Sequence, residues 1–356
     1  MSINRPVSRI FRTSFDSVII SRPSRHTFFV SQIPHHRSIS TVARNSTKNN
    51  KTFIHPTTHR AILSTGLPPR PKQQNRHFTM SSKLVPSNPA EVAVIRDITP
   101  NVVTVSVPFA RFGILRVGGR GTIIRLTSGT LAVFSPVALT PEVQAKVSSL
   151  GGNVGYLIAG DIEHHIFLSE WAAAYPGAKL LGPKGLQEKR AAVQNDPRIG
   201  SEEFTFVWDE SNQHSNAVSP EFAADFEVEY VPAHPNKEIA LFYKPDRVLI
   251  EADMLFNLPA IEQYSRVPAA QKAAHGLLNR VFEAVNSTAG EAKGLKRFLW
   301  YAISNGAKDR AGFNESVRRI DAWDFDTIVP CHGETVVGGG KALWRKAFEW
   351  HLQGHK

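Results

Sequence analysis

The chain has 356 residues, 42% of them apolar, which is ample for one or two packed domains, and a formal charge of +11. That charge is uneven: 14 of the 42 Lys and Arg residues and a single acid, Asp16, precede residue 84, leaving 28 bases against 30 acids downstream. A body near −2 lacks the basic surface that nucleic acid or an anionic membrane would select, so neither is expected as a partner.

Residues 1–83 are rich in Arg, Ser, Thr, Asn and Pro and read as a basic disordered leader. A mitochondrial presequence is the first reading and a plain disordered tail the second. No apolar run there approaches the roughly 20 residues of a membrane helix, and Phe28-Phe29-Val30 has no cleavage site of small residues. Met80, before Ser81-Ser82-Lys83, offers a second start that would add a cytosolic form to the mitochondrial one. The lone cysteine, Cys331, rules out an internal disulfide framework or a multi-cysteine metal site and suits a reducing compartment.

The folded body is placed at 90–356. Apolar and polar residues alternate over 101–109, as in a half-buried strand, and 121–126 and 131–136 form a hairpin around Gly129. Gly118-Gly119-Arg120-Gly121 precedes a strand instead of opening a helix, which argues against a phosphate loop. Thr140 followed by Pro141 marks a helix start. An apolar run, 156–159, then ends at Gly160, and a polar turn delivers His164 and His165 into the expected first turn of a helix that stops at Pro176-Gly177. A strand over 178–181 and a helix over 185–193 follow, and 198–219 reads as a polar loop. Strands are expected at 226–232, 238–243, 247–250 and 327–330, with helical pattern over 260–322 and a closing amphipathic helix after Gly338.

The alternation of strands and helices implies a layered α/β domain, with ligands at the carboxyl ends of strands. His164, His165, His234, Asp253 and His332 each fall just after a predicted strand. A lone histidine in a loop is commonly just solvated, and an aspartate there can serve as a cap; the joint placement of five such residues is what points to a metal site. Imidazole nitrogen and carboxylate oxygen suit zinc or iron, and a catalytic ion wants about three protein ligands and an open position for water. Asp161 and Glu163 are weighed as bases, Lys308 and Arg310 as facing an anionic substrate, and Trp171, Tyr264 and Trp300 as packing.

The arrangement resembles the metallo-β-lactamase superfamily over 95–350, most closely an uncharacterised branch, a domain of unknown function carrying His-His-x-Phe-Leu-x-x-Trp, here His164 to Trp171. The resemblance implies a single-domain αββα four-layer sandwich. The family's His-x-His-x-Asp-His motif falls on 160–165: the last histidine is His165, His164 stands in place of the aspartate, and Gly160 and Ile162 replace the first two histidines. His234 matches the third histidine of the first metal site, Asp253 the bridging aspartate and His332 the final histidine of the second site. With the first site depleted, one ion or none is implied, zinc with iron or manganese as alternatives.

The function implied is a mononuclear metal-dependent hydrolase that acts on a small ester, thioester or lactone through metal-bound hydroxide. A non-catalytic, ligand-binding member of the fold and a non-haem iron oxidoreductase are the alternatives. A small-molecule substrate is the expected partner, no membrane span is expected, and oligomeric state leaves no mark on the sequence.

Overall fold

This computed structural model describes residues 88–269, 276–304, 306 and 308–354. The leader expected over 1–83 and the alternative start at Met80 lie outside them.

A short α1 (Pro89–Val92), capped by the Asn88 side chain, leads into β1 (Val94–Asp97) and β2 (Val102–Val107). A small hairpin, β3 (Ala110–Arg111) and β4 (Leu115–Arg116), precedes β5 (Gly119–Arg125) and β6 (Leu131–Phe134). The β5–β6 turn uses Gly129 at φ 90°, a conformation that costs any other residue energy. In α2 (Pro141–Ser149) the Thr140 hydroxyl accepts the Val143 N–H at 3.3 Å, the cap that the sequence predicts. Strands and helices then alternate as β7 (Val154–Ile158), α3 (Leu168–Ala174), β8 (Lys179–Pro183), α4 (Leu186–Ala191) and β9 (Phe206–Trp208). After α5 (Pro220–Asp225) come β10 (Phe226–Val231), β11 (Glu238–Tyr243) and β12 (Val248–Glu251). Helices α6 (Leu277–Val285), α7 (Lys293–Phe298) and α8 (Arg310–Ala322) separate β12 from β13 (Thr327–Pro330), and α9 (Gly340–Ala347) and α10 (Glu349–Gln353) close the body.

Among the described residues the strands form a seven-stranded sheet, β1-β2-β5-β6-β7-β8-β9, and a four-stranded one, β10-β11-β12-β13. Side chains alternate across a strand, so each sheet presents two faces. Tyr156 and Ile158 of β7 pack between the sheets with Phe134, Phe226, Leu241 and Val329, while Leu157 faces outward with Val143, Val147, Leu168 and Leu186 from α2, α3 and α4. The outer face of the second sheet, with Leu249 and Ile328, is covered by Leu295, Phe313, Val317 and Trp344 from α7, α8 and α9. The layers are therefore helix, sheet, sheet, helix: the αββα sandwich that the metallo-β-lactamase resemblance implies.

Three local readings are corrected. All six residues of β2 are buried instead of half of them, because both its faces are covered, with Val102 in the core between the sheets and Val103, Val105 and Val107 in the core under the outer helices, while its polar Ser106 is satisfied by Glu262 at 2.7 Å. The polar stretch 198–219 holds β9, whose fully buried Trp208 donates to the Ser215 carbonyl at 2.8 Å. Neither α1 nor β1 is foreseen by the sequence pattern. No helix among the described residues is long and apolar enough to cross a membrane.

His351 of α10 is buried among Trp300, Phe313 and Phe348, with Nδ1 2.7 Å from Asn314 Oδ1. Burial, with Arg310 adding to it, pushes the imidazole down to about 4. The unfolded chain takes up a proton near pH 6.5 that the folded chain refuses until about pH 4. Stability should therefore fall by up to about 3 kcal/mol as pH drops through that window. Urea midpoints between pH 7 and pH 4 check this, with His351→Gln expected to flatten the slope.

Candidate metal centre

Strands β10 and β12 both run antiparallel to β11, and β13 runs parallel to β12, so all three deliver their carboxyl ends to one edge. The loop after β7 joins that edge, because the Gly160 carbonyl accepts the Ile239 N–H at 2.7 Å and the Asn236 carbonyl accepts the Ile162 N–H at 3.0 Å. His164, His234, Asp253 and His332 are thus brought to one end of the sandwich by backbone topology.

The loop conformation comes from Asp161. Its fully buried Oδ1 accepts the N–H groups of Glu163 (2.6 Å) and His164 (2.8 Å) and lies 2.9 Å from His164 Nδ1. An aspartate that bonds the backbone two and three residues on makes a turn, not a helix. The histidine pair therefore lies in this turn, and α3 starts only at Leu168, which corrects the expected helix start.

Three atoms converge: His164 Nε2 is 3.2 Å from His332 Nε2, which is 3.0 Å from Asp253 Oδ1. The hydrogen bonds around them fix what these atoms are. His332 Nδ1 faces the Gly118 carbonyl at 2.7 Å and His164 Nδ1 faces a carboxylate, both acceptors, so each Nδ1 carries a proton and each ring, when neutral, presents a lone pair at Nε2. Asp253 Oδ1 is buried and accepts no hydrogen bond, while Oδ2 takes the Asn236 amide at 2.5 Å. With both rings neutral, three acceptors meet. Such a set is stabilised by a cation, and these ligand atoms lie within 4.8 Å of one another.

The surroundings favour positive charge at the cluster. Burial works against an imidazolium at His164, but Asp161 and Asp253 outweigh it and push the ring up to about 9, so without an ion the ring holds a second proton, on Nε2, that a bound cation would displace. Burial likewise opposes ionisation of Asp253, but His164 and His332 hold its carboxyl well below the usual range. Burial drives Glu238 and Glu251 well above theirs, with nearby acidic groups adding to the shift. Glu238 spans the N–H groups of Ala252 (2.5 Å) and Asp253 (3.0 Å), fixing the turn that aims Asp253. His332 is walled by Phe109, stacked at 6.2 Å, and by Phe256, edge-on at 4.8 Å. The His164 side chain, 16% exposed, is the most solvent-accessible of the three.

Two of the five sequence candidates stand apart from this set. His165 turns toward α4, where Arg190 donates to its carbonyl at 2.8 Å and lies 3.4 Å from its Nδ1; burial, then the charges of Lys189 and Arg190, push it down to about 3. His234 is buried and near enough to feel Asp253 and Asp161, but its Nδ1 accepts the Asn236 N–H at 3.2 Å, so its buried, unpartnered Nε2 carries the proton. The residues at the two missing histidine positions have other uses. A Cβ at Gly160 would come within 2.5 Å of the Phe134 ring, and Ile162 packs toward the core between the first sheet and its helices.

Glu163 is paired with Lys189 at 2.6 Å and Arg111 at 3.8 Å, Arg310 packs over Trp300, and Lys308 is exposed. Trp171, Tyr264 and Trp300 are buried, as their packing roles require. The supporting parts that sequence reasoning missed are the Gly118 carbonyl, Asn236, Glu238 and the two phenylalanines. Only Asp161 carried a signal, its spacing of three from His164.

A family model described as a domain of unknown function (DUF4336) matches residues 111–304. No curated protein matches the sequence. Among solved structures, the chain is similar to a metallo-β-lactamase from Pontibacter korlensis at 10% identity and a TM-score of 0.44, over 73% of this chain and 98% of that one. It is similar to a metallo-β-lactamase from Hirschia baltica at 12% identity and 0.45, covering 72% and 96%. It is also similar to the metal-soaked Flv1 flavodiiron core from Synechocystis at 14% and 0.47, covering 74% of this chain and 61% of that one.

The Gly160 contact generates a test. Gly160→Ala should lower stability by about 1–3 kcal/mol, as overpacking does, read as a shift of the urea midpoint, whereas an unchanged midpoint would mean that Phe134 yields freely.

Proposed function

The chain belongs to the family described as a domain of unknown function (DUF4336), and from its acceptor cluster we propose a mononuclear metal-dependent hydrolase of a small ester, thioester or lactone, with zinc as the ion. The observation that carries this reading is the meeting of His164 Nε2, His332 Nε2 and Asp253 Oδ1, three ligand atoms whose setting favours positive charge. Two imidazoles and one carboxylate make a three-ligand set that leaves a position open. A divalent ion held there supplies Lewis acidity and lowers the pKa of water toward about 7.

The chain's own residues do the rest. Asp161 and the Gly118 carbonyl keep the protons on the Nδ1 atoms, so both Nε2 lone pairs stay available and both rings keep their orientation. Asn236 and Glu238 hold Asp253 in place. Phe109 and Phe256 keep water from the His332 side and strengthen the electrostatics there. His234 Nε2–H is a buried donor close to the cluster, suited to a substrate oxygen.

A second reading has the donor set itself in its favour, since two histidines and an aspartate also suit a non-haem iron oxidoreductase. Metal dependence separates the two. Zinc-loaded protein should hydrolyse nitrophenyl esters, lose activity to a chelator and recover it with zinc. Asp253→Ala and His332→Ala should each lower kcat/KM by at least about 100-fold, and Asp161→Ala by about 10- to 100-fold. Activity with iron alone, dependent on oxygen, would favour the second reading, and hydrolysis unaffected by either ligand substitution would contradict the first.

A further inference from the structure

The β3–β4 hairpin and α6 carry apolar side chains that the body leaves in solvent. Phe112 and Ile114, at the tip of the β3–β4 hairpin, are 56% and 55% exposed. Leu277, Leu278 and Val281 of α6 are 78%, 55% and 51% exposed. The two elements touch through a polar contact, the Arg116 N–H donating to the Asn279 side chain at 2.7 Å, and Asn279 is the buried residue of α6. An amphipathic helix ordinarily turns its apolar stripe inward; this one turns an amide inward and aliphatic groups outward. Exposed apolar patches of this kind mark a place where something apolar binds.

The patch is continuous with the centre. Phe282, next to Val281, lies 6.5 Å from Phe256, and Phe256 sits edge-on against His332 at 4.8 Å. Phe109, which leads into the hairpin, stacks on the same imidazole. The way from His332 to the rim is therefore aromatic and then aliphatic, whereas the His164 side is charged, with Glu163, Lys189 and Arg111.

We propose that the substrate of this centre is an amphiphile: a medium- to long-chain acyl ester or thioester whose carbonyl lies at His164, Asp253 and His332 and whose alkyl chain runs over Phe256 and Phe282 to Leu277, Leu278 and Val281. This rests on the hydrolase reading above and names its substrate class. In the reaction the oxygen of water bonds to the acyl carbon, the bond to the leaving oxygen or sulfur breaks, and a proton from water goes to the leaving alcohol or thiol. A free acyl chain fits the rim better than a bilayer does, because α6 sets one Arg280 and one Glu283 beside its aliphatic groups instead of a basic run.

The test uses the full chain loaded with zinc and measures binding directly, by titration calorimetry with dodecanoate and butyrate, beside hydrolysis of nitrophenyl esters of matching lengths. Burying several methylenes should make dodecanoate bind at least about tenfold tighter than butyrate, and the Leu277→Ser/Val281→Ser double variant should erase most of that difference. Circular dichroism of the variant confirms that it folds. A chain-length preference in binding without any hydrolysis would keep the amphiphile assignment and remove the hydrolase reading. Hydrolysis with equal affinity for both acids, or a preference untouched by the double variant, would overturn the amphiphile assignment. Rim-dependent sedimentation with phosphatidylcholine vesicles, without preference among the free acids, would overturn it in favour of a lipid surface.

Discussion

Two imidazole nitrogens and a carboxylate oxygen meet at the carboxyl ends of β7, β12 and β13. Bare acceptors at about 3 Å would repel strongly in a buried setting, so positive charge is needed at this point, from the second proton that Asp161 and Asp253 favour on His164 or from a cation in its place. Asp161 and the Gly118 carbonyl each accept an Nδ1 proton, which turns both Nε2 atoms toward Asp253. Remove either partner and the ring is free to turn or to change tautomer, which would lose the site. The pattern is that of ligands oriented by a surrounding layer of hydrogen bonds.

The fold supports this through topology and through its buried carboxylates. The sandwich places the β7 loop of one sheet against the β10, β12 and β13 loops of the other, joined by the bonds of Ile239 and Ile162 across the gap. Asp253 stays ionised between histidines, whereas burial keeps Glu238 and Glu251 toward their neutral forms. The division limits the negative charge in the interior and leaves one carboxylate charged at the point where a cation would sit. Glu238 serves chiefly to tie down the Ala252-Asp253 backbone. At the two positions where the resemblance would place histidines the side chains serve packing: Gly160 makes room for Phe134, and Ile162 packs against the core.

Much of the architecture was legible because it is written in short-range chemistry. The Thr140 cap, the Gly129 turn and the apolar runs of β7, β11 and β13 follow from local rules. Placement after strands singled out His164, His165, His234, Asp253 and His332, and the structure brings His164, Asp253 and His332 together. What local pattern cannot carry is direction. His164 and His165 are adjacent and chemically identical, yet the Asp161 turn sends one toward Asp253 and the other toward Arg190. His234 reaches the same edge of the sheets, with its Nδ1 accepting the Asn236 N–H, a contact that no local pattern announces. The strand β9 escaped notice because its residues sit in a polar stretch, and β2 proved more buried than its alternation suggested because what covers its second face comes from distant parts of the chain.

The most direct test of a cation at this cluster is elemental analysis of the purified full chain after zinc loading and dialysis, beside single alanine variants of three residues. The account predicts about one ion per chain, lost in His164→Ala and Asp253→Ala and retained in His165→Ala, whose ring faces Arg190. No bound ion in the unmutated chain, or an ion that survives His164→Ala and disappears with His165→Ala, would contradict it.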